Sequence, residues 1–220
     1  DVDLGLSFQG VNYYDGQGFM VPTALGVSSA ADLDGATVCV QTGTTTELNL
    51  ADFFADNGIS YTPYVVTTAA ETNEAYLAGL CDVYTTDASG LAANRTTFPD
   101  PSAHVILPEI VSKEPLGPVT RQGDEVWGDI VRWTLNSMII AEELGITSDN
   151  AAAMAADADA SAGVKRLLGV EGGYGAMLGL ADDAFLNAIS QVGNYAESFE
   201  RNVGPDTAVG LDRGLNALWT

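Results

Sequence analysis

An apolar run, Val38-Cys39-Val40, ends in Gln41-Thr42-Gly43, and Thr44, Thr45, Thr46 and Glu47 open a helical pattern. Residues of these types at a strand-to-helix turn can hold an anion without a basic side chain. A helix N-terminus presents unpaired N–H groups and a partial positive charge. Threonine hydroxyls add donors, and Gly43 lets the backbone come close to a ligand. A P-loop needs a lysine after its glycine, and none stands here, so a carboxylate fits better than a polyphosphate. The same T-x-x-E spacing also describes a plain capping box, with Thr44 as cap, Glu47 as its partner and nothing bound.

A second strand-to-helix passage, Cys81-Asp82-Val83-Tyr84-Thr85-Thr86-Asp87, puts Tyr84 and Asp87 at a strand's carboxyl end, where ligands gather in open α/β sheets. Asp87 is either a helix cap or an acid facing the first turn. With the two strands as neighbours, an anion-binding turn lies across from a carboxylate. An α-amino-acid zwitterion needs that pair, one end for its carboxylate and one for its ammonium, each through charge-assisted hydrogen bonds. Thr44, Thr45, Thr46, Tyr84 and Asp87 are therefore the candidate ligand residues. Cys39 and Cys81 fall one on each strand. They are either two small buried core residues or a disulfide suited to an oxidising compartment.

The remaining inventory is thin. His104 is the only histidine, so a Cys/His zinc site lacks ligands and a Ser-His-Asp triad would have to use it. It opens the run HVILPE and reads as a strand-start residue. No EF-hand spacing occurs, and no cofactor or metal is expected. Thirty acidic residues oppose eight basic ones, for a net charge of −22. Such a surface repels nucleic acid and anionic lipid; the acidity reads as a solubility device suited to a salty environment. No apolar run approaches the roughly 18–20 residues that span a bilayer. No secretory signal is visible, and a mature exported protein would have lost one.

The elements that must position these residues follow from periodicity. Residues 4–21 alternate and are rich in aromatics, with a bend at Gly16-Gln17-Gly18. ATVCV, YTPYVV, CDVYT and HVILPE read as strands. Helical patterns cover Thr45 to about Asn57, Thr68 to Ala78 and Ala88 to Arg95. That alternation predicts a parallel α/β sheet with right-handed crossovers. From Asp124 onward the chain is helical, and Val126, Trp127, Ile130, Trp133, Thr134, Met138 and Ile139 share one broad face. Three parts result: a strand segment at 1–18, an α/β unit at 19–116 and a helical return at 117–220. The first and last read as pieces of one lobe with the α/β unit inserted between them. Gln17-Gly18 and Leu116-Gly117 are the expected hinge crossings.

Several stretches carry a resemblance: VNYYDGQGFMV, DGATVCVQTGTTTELNLADFF, AGLCDVYTTD, ILPEIVSKEPLGPVTRQGD, RLLGVEGGYGAMLGL and QVGNYAESFERNVGP. Along nearly its whole length the chain resembles the periplasmic general or polar L-amino-acid-binding proteins of ABC importers. The resemblance implies a type II two-lobed fold, with one complete α/β lobe and the C-terminal part of the other. It implies a monomer that captures L-amino acids of broad specificity and delivers them to a membrane permease. The turn matching Thr44, Thr45 and Thr46 would bind the α-carboxylate, and Asp87 the α-ammonium. The family's N-terminal segment, with its aromatic side chains and carboxylate-clamping arginine, has no counterpart in this chain. Arg95 and Arg121 read as surface or loop residues, not as its substitute. Two other classes stand beside this one. An amino-acid-sensing receptor domain would normally be fused to a signalling segment. A dehydratase-like enzyme would need Asp87, Glu109 or Glu114 as its acid or base.

Overall fold

The structure, a computed structural model, describes residues 2–219. It begins with β1 (Leu6–Phe8), β2 (Tyr13–Asp15), β3 (Gln17–Pro22) and β4 (Ala36–Gln41). Then come α1 (Thr45–Asp56), β5 (Tyr61–Val66), α2 (Ala69–Leu77), β6 (Val83–Asp87), α3 (Ala88–Arg95) and β7 (His104–Ile106). After β8 (Glu114–Leu116) and β9 (Val119–Arg121) the chain is helical: α4 (Glu125–Glu143), α5 (Ala151–Ala156), α6 (Ala162–Leu167), α7 (Tyr174–Met177), α8 (Ala184–Val192) and α9 (Tyr195–Asn202).

Two compact units divide the chain. One holds residues 14–115 and 208–211; the other holds 1–13, 116–207 and 212–220. The first crossing lies at Tyr13/Tyr14, ahead of the position expected from the glycines. Gln17 and Gly18 are not in a connection: both are buried inside β3. The glycine at 18 serves packing, facing Ala88 and Leu91 of α3. Leu116, by contrast, is the first residue past the second crossing, and Gly117 follows it. β2 and β8, which carry the two crossings, pair as a two-stranded ladder.

The 14–115 unit is built on a five-stranded sheet in the order β5-β4-β6-β3-β7. β4 runs parallel to β5 and to β6. β3 runs antiparallel to β6 and to β7, so the sheet is mixed and not the parallel one expected. The expectation cut β3 between Gly18 and Phe19, where it read a bend, and so removed from view the one strand that reverses direction. Strand alternation builds two cores. Phe19 and Val21, Val38 and Val40, and Val83 share one face with Leu50 and Phe54 of α1. Met20, Cys39 and Tyr84 share the other with Ala75 and Tyr76 of α2 and Leu91 of α3. Cys39 and Cys81 form a disulfide on that second face, with Cα atoms 5.6 Å apart. His104 opens β7 as expected, its Nδ1 2.9 Å from the Tyr76 hydroxyl. Burial pushes that tyrosine hydroxyl well above its ordinary range.

In the second unit β1 pairs antiparallel with β9. α4 buries the face expected of it only in part: Ile130, Thr134, Met138 and Ile139 are half-buried, while Val126, Trp127 and Trp133 are exposed. Its buried positions are the small residues Gly128, Ser137 and Ala141, which permit close approach. A Cβ at Gly128 would fall 2.8 Å from the Gln9 carboxamide nitrogen. An apolar cavity of about 650 Å³ opens among α4, α6, α7 and α8, with Trp133, Ile140, Met177 and Phe185 in its wall. Arg213 fastens the C-terminal segment. Its guanidinium reaches the Glu142 carboxylate at 3.0 and 3.1 Å and the Asn216 carbonyl at 2.8 Å. It also lies 5.2 Å from the ring centres of Tyr195 and Phe199. An ammonium cannot reproduce that fork and stack together. Arg213→Lys is expected to cost about 1.5 kcal/mol of stability in urea unfolding.

Candidate functional site

The first turn of α1 is capped and still open. Thr44 Oγ1 accepts from the Glu47 amide at 3.3 Å and donates to the Gln41 carbonyl at 2.8 Å. Glu47 reaches back to the Gly43 amide at 2.9 Å. This differs from α2, where Glu71 satisfies the backbone of its own cap, Thr68, and completes the capping box. With Glu47 shifted to Gly43, the amides of Thr44, Thr45 and Thr46 have no acceptor among the described residues. Gly43 has φ +70°, a left-handed conformation that glycine adopts without strain. Three adjacent N–H groups at a helix N-terminus, with hydroxyls beside them, form a positive, carboxylate-sized patch.

β6 brings Asp87 to the same end of the sheet. Val38 pairs with Val83 and Cys39 with Tyr84, so β4 and β6 are direct parallel neighbours. Asp87 stands just before α3 but caps nothing. The capping work falls to Asp15, whose carboxylate accepts from the amide and the hydroxyl of Ser89. The Asp87 carboxylate is thus half-buried and without a hydrogen-bond partner among the described residues. Burial raises its pKa above the ordinary aspartate value, and the Asp15 and Glu114 carboxylates push in the same direction. A half-buried acid held among other acids is an attractor for a cation.

One side chain joins the two halves. Gln17 Nε2 donates to the Thr46 carbonyl at 3.1 Å and to Thr85 Oγ1 at 2.9 Å. Gln17 also pairs with Asp87 across the β3/β6 ladder. The first turn of α1 and the end of β6 therefore lie within the reach of a single carboxamide.

Of the candidate residues, Thr44, Thr45, Thr46 and Asp87 come together at this end of the sheet. Tyr84 does not join them. Strand alternation turns its side chain to the opposite face, where it is 2% exposed and its hydroxyl accepts from Asn94 Nδ2 at 3.1 Å. The residue on the site's face is its neighbour Thr85. Gln17, expected at a hinge, belongs to the site's framework. Counting by twos from the buried Phe19 and Val83 would have found both. Of the three candidate acids of an enzyme, two are engaged elsewhere, and Asp87 alone stands open at the site. Glu109 accepts from the Ser29 hydroxyl at 2.6 Å and the Ala30 amide at 3.0 Å, and Glu114 accepts from Ser112 at 2.7 Å. Arg95 ends α3, and Arg121 is an exposed residue at the end of β9. Among the described residues no group of acids, cysteines and histidine could hold a metal ion, and no helix is long and apolar enough to cross a membrane.

No protein-family model matches the chain. A solved periplasmic binding protein of an ABC transporter from Brucella ovis, with glutathione bound, is 50% identical, with a TM-score of 0.92 over all of this chain and 69% of its own. The chain belongs to the periplasmic binding proteins of ABC transporters. Curated relatives agree. Rhodobacter capsulatus BztA, named a glutamate/glutamine/aspartate/asparagine-binding protein, is 57% identical over the whole chain and 65% of its own length. Rhizobium johnstonii AapJ, named a general L-amino acid-binding periplasmic protein, is 54% identical over the whole chain and 64% of its own length. This binding-protein chain thus spans about two thirds of the length of the curated relatives it matches. These relatives are named as binding proteins and not as enzymes.

Proposed function

We propose that the protein captures L-amino acids for an ABC importer, and that the end of the 14–115 sheet recognises the part all of them share. The α-carboxylate lies on the Thr44, Thr45 and Thr46 amides, and the α-ammonium meets Asp87. The observation that carries this reading is the pairing of opposites: three N–H groups without an acceptor among the described residues, beside a half-buried carboxylate that caps nothing. Neither end reads any side chain, which suits broad specificity. The names of the relatives support the same class. Glutathione, bound in the Brucella ovis protein, ends in a γ-glutamyl residue with a free α-ammonium and α-carboxylate, the same head group. Leu116 and Gly117, at the second crossing, are the proposed hinge positions, with the partner permease receiving the ligand from a monomer.

Titration calorimetry with L-glutamate, L-glutamine, L-aspartate, L-asparagine and glutathione tests the reading. All five should bind to one site and compete with one another. N-acetyl-glutamate, which has lost its ammonium, should not. Binding of the acetylated compound as tightly as glutamate would overturn the assignment of Asp87.

A further inference from the structure

We propose that Gln17 is a positioning residue that sets the span between the two ends of the head-group site. This rests on the reading of Asp87 and of α1's first turn given above. Gln17 is 1% exposed. Its carboxamide nitrogen holds the Thr46 carbonyl on α1 and the Thr85 hydroxyl on β6, while its own backbone pairs with Asp87. Movement of α1's first turn relative to the Asp87 carboxylate requires one of these bonds to break.

The hydrogen-bond network fixes which way the carboxamide faces. Thr85 Oγ1 gives its proton to the Gly18 carbonyl at 2.8 Å, so toward Gln17 it can only accept. The Thr46 carbonyl can only accept as well. Both partners therefore demand the N–H end. The cost falls on the other end: Gln17 Oε1 is enclosed and has no donor among the described residues. A bare buried acceptor works against folding. An apolar side chain of the same length, such as the thioether of methionine, would fill the space without that cost. Core stability alone would not select a glutamine here. Its two N–H bonds, both made to the walls of the site, are what the amide contributes.

The sign of the effect on stability separates positioning from packing. Gln17→Met removes both bonds and the bare oxygen while keeping the volume. We expect it to weaken binding of glutamate, glutamine, aspartate and asparagine by one common factor, about tenfold, while the melting temperature stays level or rises. Thr85→Val, which removes one anchor, should weaken the four ligands by a smaller common factor. Thr85→Ser, which keeps the hydroxyl, should bind within about twofold of the parent. Gln17→Met that binds like the parent, or that loses stability and affinity together, would overturn the proposal. If Gln17→Met does not fold, Thr85→Val measured against Thr85→Ser decides it: equal affinities sink the positioning role. Asp87→Ala in the same series keeps the two readings apart. Parental affinity in Asp87→Ala overturns the head-group reading and this proposal with it; loss there with parental affinity in Gln17→Met overturns the positioning role alone.

Discussion

Replacing Cys39 and Cys81 together by alanine is expected to lower the unfolding free energy of the 14–115 unit by about 4 kcal/mol. The bridge closes a loop of 42 residues' separation, and in the chain-entropy treatment a loop of that length restrains the unfolded state by about that amount. Alanine at both positions removes the link, and because Cys39 is fully buried and Cys81 is 4% exposed, the two lost sulfurs also leave a small void that adds to the loss. Guanidinium denaturation of the parent and the double variant measures the difference. The parent titrated with reductant should stay folded until denaturant opens the core, because neither sulfur is open to attack by an external thiol. A loss below about 1 kcal/mol would mean that the β4/β6 pairing, not the bridge, holds the two strands in register.

Asp87→Ala is expected to weaken binding of every amino acid alike by about 3 kcal/mol, somewhat over a hundredfold, as for other desolvated charge pairs that lose one member. Asp87→Asn, which keeps shape and loses charge, should fall nearly as far. The pH dependence carries the same signature. Burial, with Asp15 and Glu114 adding to it, raises the Asp87 pKa in the free protein. A bound ammonium favours the carboxylate and lowers that pKa. Binding therefore releases a proton whenever the free acid is protonated. Affinity is full above the raised free-state pKa and falls as pH drops through it. Calorimetry in buffers of different ionisation enthalpy reads the proton release directly. A flat profile across the acid range, or an Asp87→Ala variant that weakens for some amino acids only, would remove Asp87 from the ammonium end.

Much of this arrangement is legible in residue order. Thr44, Thr45, Thr46 and Asp87 are found from chemistry at strand ends, because capping residues and glycine mark where a strand hands over to a helix. The boundaries of α1 and α3 follow for the same reason. Faces are harder to read. Tyr84 lies in a short run where every residue up to Thr85 is buried, so polarity does not announce which way it points. Only the alternation shared with Phe19 and Val38 does. Gln17 is harder still. Flanked by glycines, it looks like a bend, and nothing local tells that β3 slots between β6 and β7. That placement depends on partners far along the chain, and strand pairing over long separations leaves no local trace. The apolar stripe on α4 tells which residues share a face but not how far each is covered. Ile130, Met138 and Ile139 are half-buried, Trp127 and Trp133 are exposed, and the fully buried positions are the small residues Gly128, Ser137 and Ala141.

The place of β3 also has a consequence for how the unit is made. Met20 pairs with Tyr84, and Pro22 with His104, so their separations are 64 and 82 positions. β4 and β5 pair across about 25 positions, Ala36 with Tyr61, and can form early. The first strand of the sheet to leave the ribosome is thus among the last to be seated, after its neighbours on both sides exist. Long-range pairing of this kind slows folding. It leaves the apolar run Phe19-Met20-Val21 without a partner strand until β6 is made, 64 positions after Met20. It also makes β3 the link by which β7 joins the sheet at all. A chain begun after Pro22 would lose β7, the partner strand of Asp87 and the carboxamide that spans the site in a single cut.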